Sequence, residues 1–424
     1  MAILLFAILI GLIIINVPIA IALGLASVVV LYLATGMPLI ILPQKMFAAL
    51  DSFPLMAAPF FILAGKLMEH GGISERLIEF AKSLVGQLKG GLAHVSIVAC
   101  VFFAAISGSA TATTAAVGGI LIPAMVKAGY DRNFSTAVQA VGGTTGIIIP
   151  PSVPLVLYGV SASASVSSLF IAGILPGILM GVSLMVVAYI ISVIKGYGAN
   201  AEGFSVKRMG SSFKNALLAL LMPIIILGGI YGGIFTPTEA SVVAVVYGLI
   251  IGVFVYKQIT WNKLREILVS SVVITSTILF IIGTASLFGM VLTRERVPQN
   301  IAEMFMASDL SPIMILLLIN LFLLLVGTFM ETIAAIIILT PILLPVVTSI
   351  GVDPIHFGII MIANLAIGLV TPPVGIALFV GAQIGNTKFE PLVKAVFPFL
   401  IMMLVDILLI TFIPQLTLVD FVTP

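Results

Sequence analysis

Apolar runs dominate the chain from end to end, punctuated by short clusters of Gly, Pro, Asn and charged residues. Runs at 2–16, 18–34, 53–69, 133–163, 167–194, 216–234, 238–256, 270–292, 354–384 and 393–414 read as apolar helices and make ten membrane crossings. Two more apolar stretches, 90–127 and 310–352, are each interrupted near the centre by a polar cluster containing Gly. That is the pattern of a helix pair with a tip, and both are candidate re-entrant hairpins. The expected fold class is an all-α polytopic membrane protein.

Composition closes the alternatives. Of 424 residues, 61% are hydrophobic and 8% charged, where an ordinary globular protein carries about 25% charged residues. No Asp, Glu, Lys or Arg occurs from Asn133 to Ile194, so there is too little polar surface to cover a water-soluble particle. The single Cys100 excludes a disulfide framework and a Cys-based metal site, and a net charge of +2 argues against a nucleic-acid partner. Met1 is followed directly by apolar residues without the basic segment of a signal peptide, so a first span is expected there. No extramembrane stretch exceeds roughly 20 residues, which leaves no room for a soluble catalytic or nucleotide-binding domain. With no GxxxxGK[ST] run either, neither an enzyme nor an ATP-driven pump is expected in this chain alone.

Charge sets the orientation. If residue 1 starts outside the cytoplasm, the loops at 70–90, 127–133, 195–215, 257–267 and 385–394 lie inside and hold fourteen Lys and Arg. The other side receives three, Lys45, Arg294 and Arg296. The positive-inside bias then places both termini outside.

Pro123 and Pro345, Gly129 and Gly351, Asp131 and Asp353, Gly146 and Gly368, Pro150-Pro151 and Pro372-Pro373, Gly159 and Gly381, and Pro176 and Pro398 are all separated by one and the same offset along the chain. The chain reads as a tandem repeat. The first half, 1–200, would comprise scaffold helices in 1–52, the hairpin 90–127 and a broken helix 133–163. The second, 215–424, would comprise scaffold helices in 216–270, the hairpin 310–352 and a broken helix 354–384. Five crossings per half is an odd number, so the halves would lie upside down to one another. Inverted-topology repeats are a signature of secondary transporters, since two opposed halves around one site give access from either side.

The chemistry gathers at the tips and breaks. Ser107-Gly108-Ser109-Ala110-Thr111-Ala112-Thr113-Thr114 interrupts 37 residues, Gly90 to Val126, that carry no Asp, Glu, Lys or Arg. Two full spans and a turn need about 40–45 residues, which favours a tip that stops near mid-membrane. The second stretch is 43 residues long and could hold two complete spans around Gly327-Thr328-Phe329-Met330-Glu331-Thr332. The repeat makes it a hairpin candidate as well, with turns at the membrane interface the alternative for both. Downstream, Gly142-Gly143-Thr144-Thr145-Gly146 before Pro150-Pro151, and Gly368 and Thr371 before Pro372-Pro373, deny their helices continuity. Broken backbone at membrane depth needs ligands or water to satisfy it, so each break is a candidate site.

Ser and Thr hydroxyls, the Asn364 amide oxygen and unwound carbonyls suit sodium, and no His or Cys cluster would select a transition metal. Two symmetry-related cation sites are expected. The first joins Ser107, Gly108 and Ser109 to Gly142, Gly143 and Thr145; the second joins Gly327, Thr328 and Met330 to Gly368 and Thr371. Thr371 has Ile149 as its repeat mate, so the two sites cannot be chemically identical. Half-helix N-termini after each tip and break favour an anionic substrate, whose site is expected to take in Ser109, Thr111, Thr113, Pro150, Pro151, Glu331 and Pro372. Glu331 would either shape the second tip or titrate with transport. Lys66 and Asp406 are read as structural contacts, Glu239 as part of a helix cap beside Thr236, Cys100 and His94 as packing, and Trp261 as an interface anchor. Gln44 to Ser52 and Asn262 to Ser270 occupy matching places and would lie along the membrane surface.

The run Ser-Gly-Ser-Ala-Thr-Ala-Thr-Thr from Ser107, Gly-Gly-Thr-Thr-Gly-Ile-Ile-Ile-Pro-Pro-Ser from Gly142, Gly-Thr-Phe-Met-Glu-Thr from Gly327 and Thr-Pro-Pro-Val-Gly from Thr371 resemble the large membrane subunit of tripartite ATP-independent periplasmic (TRAP) transporters. The resemblance covers essentially the whole chain. It implies an elevator-type, sodium-coupled importer in the bacterial inner membrane, moving two or more sodium ions per cycle with an organic anion. The partners it implies are a periplasmic binding protein and a small four-helix membrane subunit, here expected as a separate polypeptide. Substrates in such a family are C4-dicarboxylates, sialic acid and other carboxylates, and the resemblance is nearest to the sialic acid branch. A stand-alone divalent-anion/sodium symporter would carry Ser-Asn-Thr at its tips, from which Ser107-Gly108-Ser109 and Phe329-Met330-Glu331 depart. A channel or non-transporting scaffold is the reading from another class.

Overall fold

A computed structural model describes residues 1–35, 38, 40–198, 205–307 and 310–418, and all regular structure among them is helical. The expected domain ends at 200 and 424 lie outside the described residues. The first half runs α1 (Ala2–Ile14), α2 (Ile19–Thr35), α3 (Ile41–Leu50), α4 (Ala57–His70), α5 (Ile73–Val85), α6 (Gly91–Ser107), α7 (Ala110–Lys127), α8 (Arg132–Gly143), α9 (Val153–Ala162) and α10 (Val166–Lys195). The second runs α11 (Val206–Tyr231), α12 (Pro237–Ile250), α13 (Trp261–Arg294), α14 (Val297–Met306), α15 (Pro312–Phe329), α16 (Thr332–Ser349), α17 (Pro354–Gly368), α18 (Ile376–Gly385) and α19 (Phe389–Phe412).

Polar caps start these helices where the sequence interrupts its apolar runs. Asp131 Oδ1 accepts the Phe134 amide at 2.9 Å to begin α8, and its repeat mate Asp353 accepts the Ile355 amide at 2.7 Å to begin α17. Thr236 and Glu239 form a reciprocal capping box on α12. Large apolar side chains stand on the outside, Ile3 at 87% and Trp261 at 79% exposed, as lipid or a membrane partner requires and water would not.

Eight described helices are long and apolar enough to cross a membrane, or nine if one bent pair is a single span. That set differs from the ten expected crossings for a physical reason. The runs 133–163 and 354–384 are each split at a Pro-Pro pair into α8 and α9, and into α17 and α18, so no piece reaches full length; α1 and α2, at 13 and 17 residues, also fall short, α4 counts only as part of the bent pair, and α7, α15 and α16 qualify in addition. The stretches 70–90 and 293–309, read as loops, hold the helices α5 and α14. In α5 the residues Ile73, Leu77, Ile78 and Ala81 recur at helical spacing and are buried, so charge on one face concealed an apolar other. Asn262 to Ser270 is no separate surface helix either. It begins the continuous 34-residue α13, within which the expected scaffold boundary at 270 falls. The matching stretch in the first half is bent by 68° between α3 and the segment Pro54–His70. Pro43, Pro54 and Pro59 interrupt that stretch, while Trp261–Arg294 contains no proline.

The element order recurs at the offset of the sequence repeat: the bounds of α7 and α16 differ by that same offset at both ends, and α6, α8, α9 and α10 find counterparts in α15, α17, α18 and α19. The halves interleave. The second piece of each break crosses to the other half's hairpin, α9 packing on α16 and α18 on α7. Helices α2, α3 and α4 pack on α13, and α12 packs on α4, while α4 and α13 also touch α6, α9 and α16 of the interleaved part. Hydrogen bonds stitch the interleaved part: the Tyr158 hydroxyl donates to the Pro354 carbonyl at 2.6 Å, and Ser183 on α10 donates to the buried Asp406 carboxylate on α19 at 2.5 Å. Asp406 thus makes the structural contact expected of it.

Backbones touch where α15 meets α17. A Cβ on Gly368 would stand 2.5 Å from the Gly327 main chain, closer than packing allows. Gly368→Ala should therefore destabilise the protein by about 1–3 kcal/mol or prevent folding, whereas Gly119→Ala, with nothing within 4 Å, should be neutral. Cys100 is buried and reports the difference: thermal unfolding followed by a thiol-reactive dye should show a lower midpoint for Gly368→Ala only.

Candidate functional site

The first tip is a tight reversal. Gly108 ends α6 with φ 59°, a left-handed conformation that glycine adopts without strain, and Ser109 is extended and caps α7. The Ser107 hydroxyl donates to Thr113 Oγ1 at 2.8 Å, and Thr113 Oγ1 donates to the Ser109 carbonyl at 2.7 Å. Three oxygens are thereby held within one turn. The tip presses on the first break: a Cβ on Gly146 would meet the Ser109 carbonyl and Thr113 Oγ1 at 2.7 Å, and one on Gly108 would meet the Pro151 carbonyl at 3.1 Å. At the break α8 passes into a 3-10 turn, Thr144–Ile147, and Ser152 then caps α9 while its hydroxyl donates to the Ile147 carbonyl at 2.6 Å. The Thr145 hydroxyl donates to the Gly142 carbonyl at 2.8 Å.

The second tip is built differently. Met330, the repeat mate of Gly108, has φ −106° and ψ 145°, and Glu331, the mate of Ser109, follows in extended conformation as the cap of α16. A methionine has no cheap access to the left-handed conformation, so the chain cannot reverse as tightly. Helix α15 accordingly packs on α17 rather than along α16, and the two expected hairpins are not equivalent. Glu331 accepts the Ile333 and Ala334 amides at 2.9 and 3.2 Å, so it does shape its tip. The Gly375 amide donates to the Thr328 carbonyl at 3.3 Å, joining tip to break, and the Thr371 hydroxyl donates to the Ile367 carbonyl at 2.8 Å.

Both tips open on one cavity of about 510 Å³. Ser107, Gly108, Ser109 and Thr111 line it from the first tip and Glu331 and Thr332 from the second, with Ile147, Val153 and Pro154 from one break and Leu369 and Ile376 from the other. The wall is completed by Gly65, Lys66 and Glu69 of α4 with Ile274 and Ile278 of α13. Lys66 pairs with Glu69 at 2.9 Å.

Several expected positions fall elsewhere. Pro150, Pro151 and Pro372 do not line the cavity: they shape the breaks, and their neighbours Ile147, Val153, Pro154 and Leu369 supply the wall. Thr113 is buried and turned onto Gly146, so of the three hydroxyl residues expected at the anion only Ser109 and Thr111 line the cavity. Among the expected cation ligands, Gly143 lies against Thr114 and Gly142 against Cys100, so the two adjacent glycines face different neighbours. Gly327 and Gly368 meet as expected, with Thr328 and Thr371 on either side of that contact. Among the described residues seven buried side-chain oxygens have no protein partner, and two of them belong to the segments marked by the sequence, Thr114 Oγ1 beside Gly143 and Asn364 Oδ1. A hard cation such as sodium fits an environment of uncommitted oxygens of this kind. Among the described residues no group of three His, Cys, Asp or Glu could hold a metal. Sequence reasoning missed Glu69 and took Lys66 as structural; the available signal was a Lys inside a span, beside Gly65, at a position where α4 approaches Ser107 to within 3.2 Å of a would-be Cβ.

Residues 6–416 match the family described as "Tripartite ATP-independent periplasmic transporter, DctM component". The chain is 47% identical over 403 residues to the isethionate TRAP transporter permease protein DctMQ of Oleidesulfovibrio alaskensis, covering 95% of this chain and 64% of that longer relative. It is 44% identical to the C4-dicarboxylate TRAP transporter large permease protein DctM of Pseudomonas aeruginosa, covering 94% and 93% of the two chains. It is 40% identical to the sialic acid TRAP transporter large permease protein SiaM of Vibrio cholerae, covering 96% and 95%. Two solved transporters share the fold at 13% identity. The YdaH transporter of Alcanivorax borkumensis superposes with a TM-score of 0.62, covering 90% of this chain and 87% of that one. MtrF of Neisseria gonorrhoeae superposes with a TM-score of 0.64, covering 92% of each.

Proposed function

Because the chain belongs to the family of DctM components of tripartite ATP-independent periplasmic transporters, we propose that it is the large membrane subunit of a sodium-coupled importer of organic anions. The observation that carries the proposal is the single cavity on which both tips converge. A site for one solute, framed by two related tips and two broken helices, is what alternating access between opposed halves needs. The first tip turns the N-terminus of α7 and the hydroxyls of Ser109 and Thr111 toward it, a surface that favours an anionic oxygen. Relatives named for isethionate, C4-dicarboxylates and sialic acid stand at 47%, 44% and 40% identity. These solutes are all organic anions, so the class is proposed and the sialic acid expectation becomes one of three substrates to test.

In this proposal the interleaved bundle, α5 to α10 with α14 to α19, travels as an elevator against α1 to α4 and α11 to α13, which form the scaffold together with a small four-helix subunit. A periplasmic binding protein delivers the anion. The exchange of α9 and α18 between the halves supports inverted repeats, because it relates the two hairpins by the same contact read in both directions. The chain sits in the bacterial inner membrane with both termini in the periplasm.

The test is uptake of radiolabelled isethionate, succinate or N-acetylneuraminate into liposomes holding the chain and its small subunit, with sodium, the proton gradient and the binding protein varied independently. Saturable uptake that requires sodium and the binding protein is expected; conductance without saturation would sink the proposal. Sidedness is checked by cysteines at Ser205 and Gln299. The first should resist impermeant reagents in intact cells and the second should react, and the reverse pattern would remove the topology. The cation site is checked by Thr371→Val, which keeps the shape and removes one oxygen, a loss of about 1–3 kcal/mol. The sodium concentration for half-maximal uptake should rise roughly 5- to 150-fold, while Ile149→Val, whose side chain packs toward Gly177, should change it little.

A further inference from the structure

The α4 wall of the cavity carries a charge pair that the repeat does not duplicate. Lys66 and Glu69 lie on α4, and the positions that match them at the repeat offset are Phe288 and Val291, which are apolar and buried. Neither symmetry nor cap chemistry calls for the pair. Among the residues lining the cavity, Lys66 is the one cation, against the carboxylates of Glu69 and Glu331. Gly65 lets α4 close on Ser107 and so brings the Lys66 turn beside the first tip. The His70 ring is hydrogen-bonded to the Lys66 carbonyl at 3.0 Å in the last turn of α4.

An ammonium has three donors and is costly to hold in an apolar frame without a partner. Glu69 engages one donor at 2.9 Å, and among the described residues no other hydrogen-bond partner of the Lys66 ammonium is present. Two donors are thus left for the cavity, on a side chain 25% exposed. We propose that Lys66 is the anion-anchoring residue of the cavity and takes the carboxylate or sulfonate of the substrate, and that Glu69 is a resident carboxylate which holds the ammonium in place when no anion is bound. This rests on the transport reading above. It adds that the anion is gripped between the first tip and α4, a wall the elevator leaves behind, so transport must break the Lys66 contact and Glu69 must recapture the lysine.

The two members of the pair then act with opposite sign. Lys66→Gln should weaken binding of an anionic substrate about tenfold or more, the loss expected for a charge-assisted hydrogen bond, and Lys66→Arg should recover most of it. Glu69→Gln removes the competing carboxylate and should leave binding equal or tighter. The measurement is equilibrium binding of radiolabelled succinate, isethionate and N-acetylneuraminate to the purified full-length chain in sodium, with folding of each variant checked through the buried Cys100. If wild type binds a probe and Lys66→Gln binds it as well, or if both variants weaken it alike as a plain structural ion pair would, the inference falls and the transport reading stands. If wild type neither binds nor transports any of the three, the transport reading falls and takes the inference with it.

Discussion

Everything in this molecule follows from the need to satisfy main-chain polar groups where water is absent. An unpaired amide or carbonyl in hydrocarbon costs several kcal/mol, yet the chain breaks helices at two Pro-Pro pairs and turns at two tips. It does so with nearby hydroxyls in the first half and with a main-chain bond between tip and break in the second. At the first tip the Ser109 carbonyl accepts the Thr113 hydroxyl at 2.7 Å, and at the first break the Ile147 carbonyl accepts the Ser152 hydroxyl at 2.6 Å. The second tip joins Gly375 to Thr328 across 3.3 Å and lets Gly327 touch Gly368. Ser109 and Glu331, which cap α7 and α16, also line the cavity.

The halves share a plan and differ in its execution, and the difference is local. A glycine at 108 permits a left-handed turn, a packed hairpin and a hydroxyl cluster. A methionine at 330 forces an extended turn, which leans α15 on α17 and leaves Glu331 to cap α16. Proline placement does the same farther out, bending α3 from α4 while α13 stays continuous through the equivalent register. The Lys66–Glu69 pair adds charge to one wall alone. The frame is thus pseudo-symmetric while the faces it turns to the cavity are chemically unlike.

Much of this could be read from the order of residues, because in a bilayer the pattern of apolar runs and breaks is itself the constraint. The helical class, the two tips, the two breaks and the constant offset between the halves rest on Gly, Pro and polar clusters whose effects are local. The helices α5 and α14 were hidden because amphipathic segments carry charge on one face and look like loops to a hydropathy argument. What only the tertiary structure decided is which of the marked residues share a space. Thr113 turns inward while Thr111 faces the cavity, the Pro-Pro pairs shape the breaks without lining it, and Lys66 lines it from α4. Those outcomes depend on the exchange of α9 and α18 between halves and on the close approach of Gly65 to Ser107, contacts between residues far apart in the chain that no local pattern encodes.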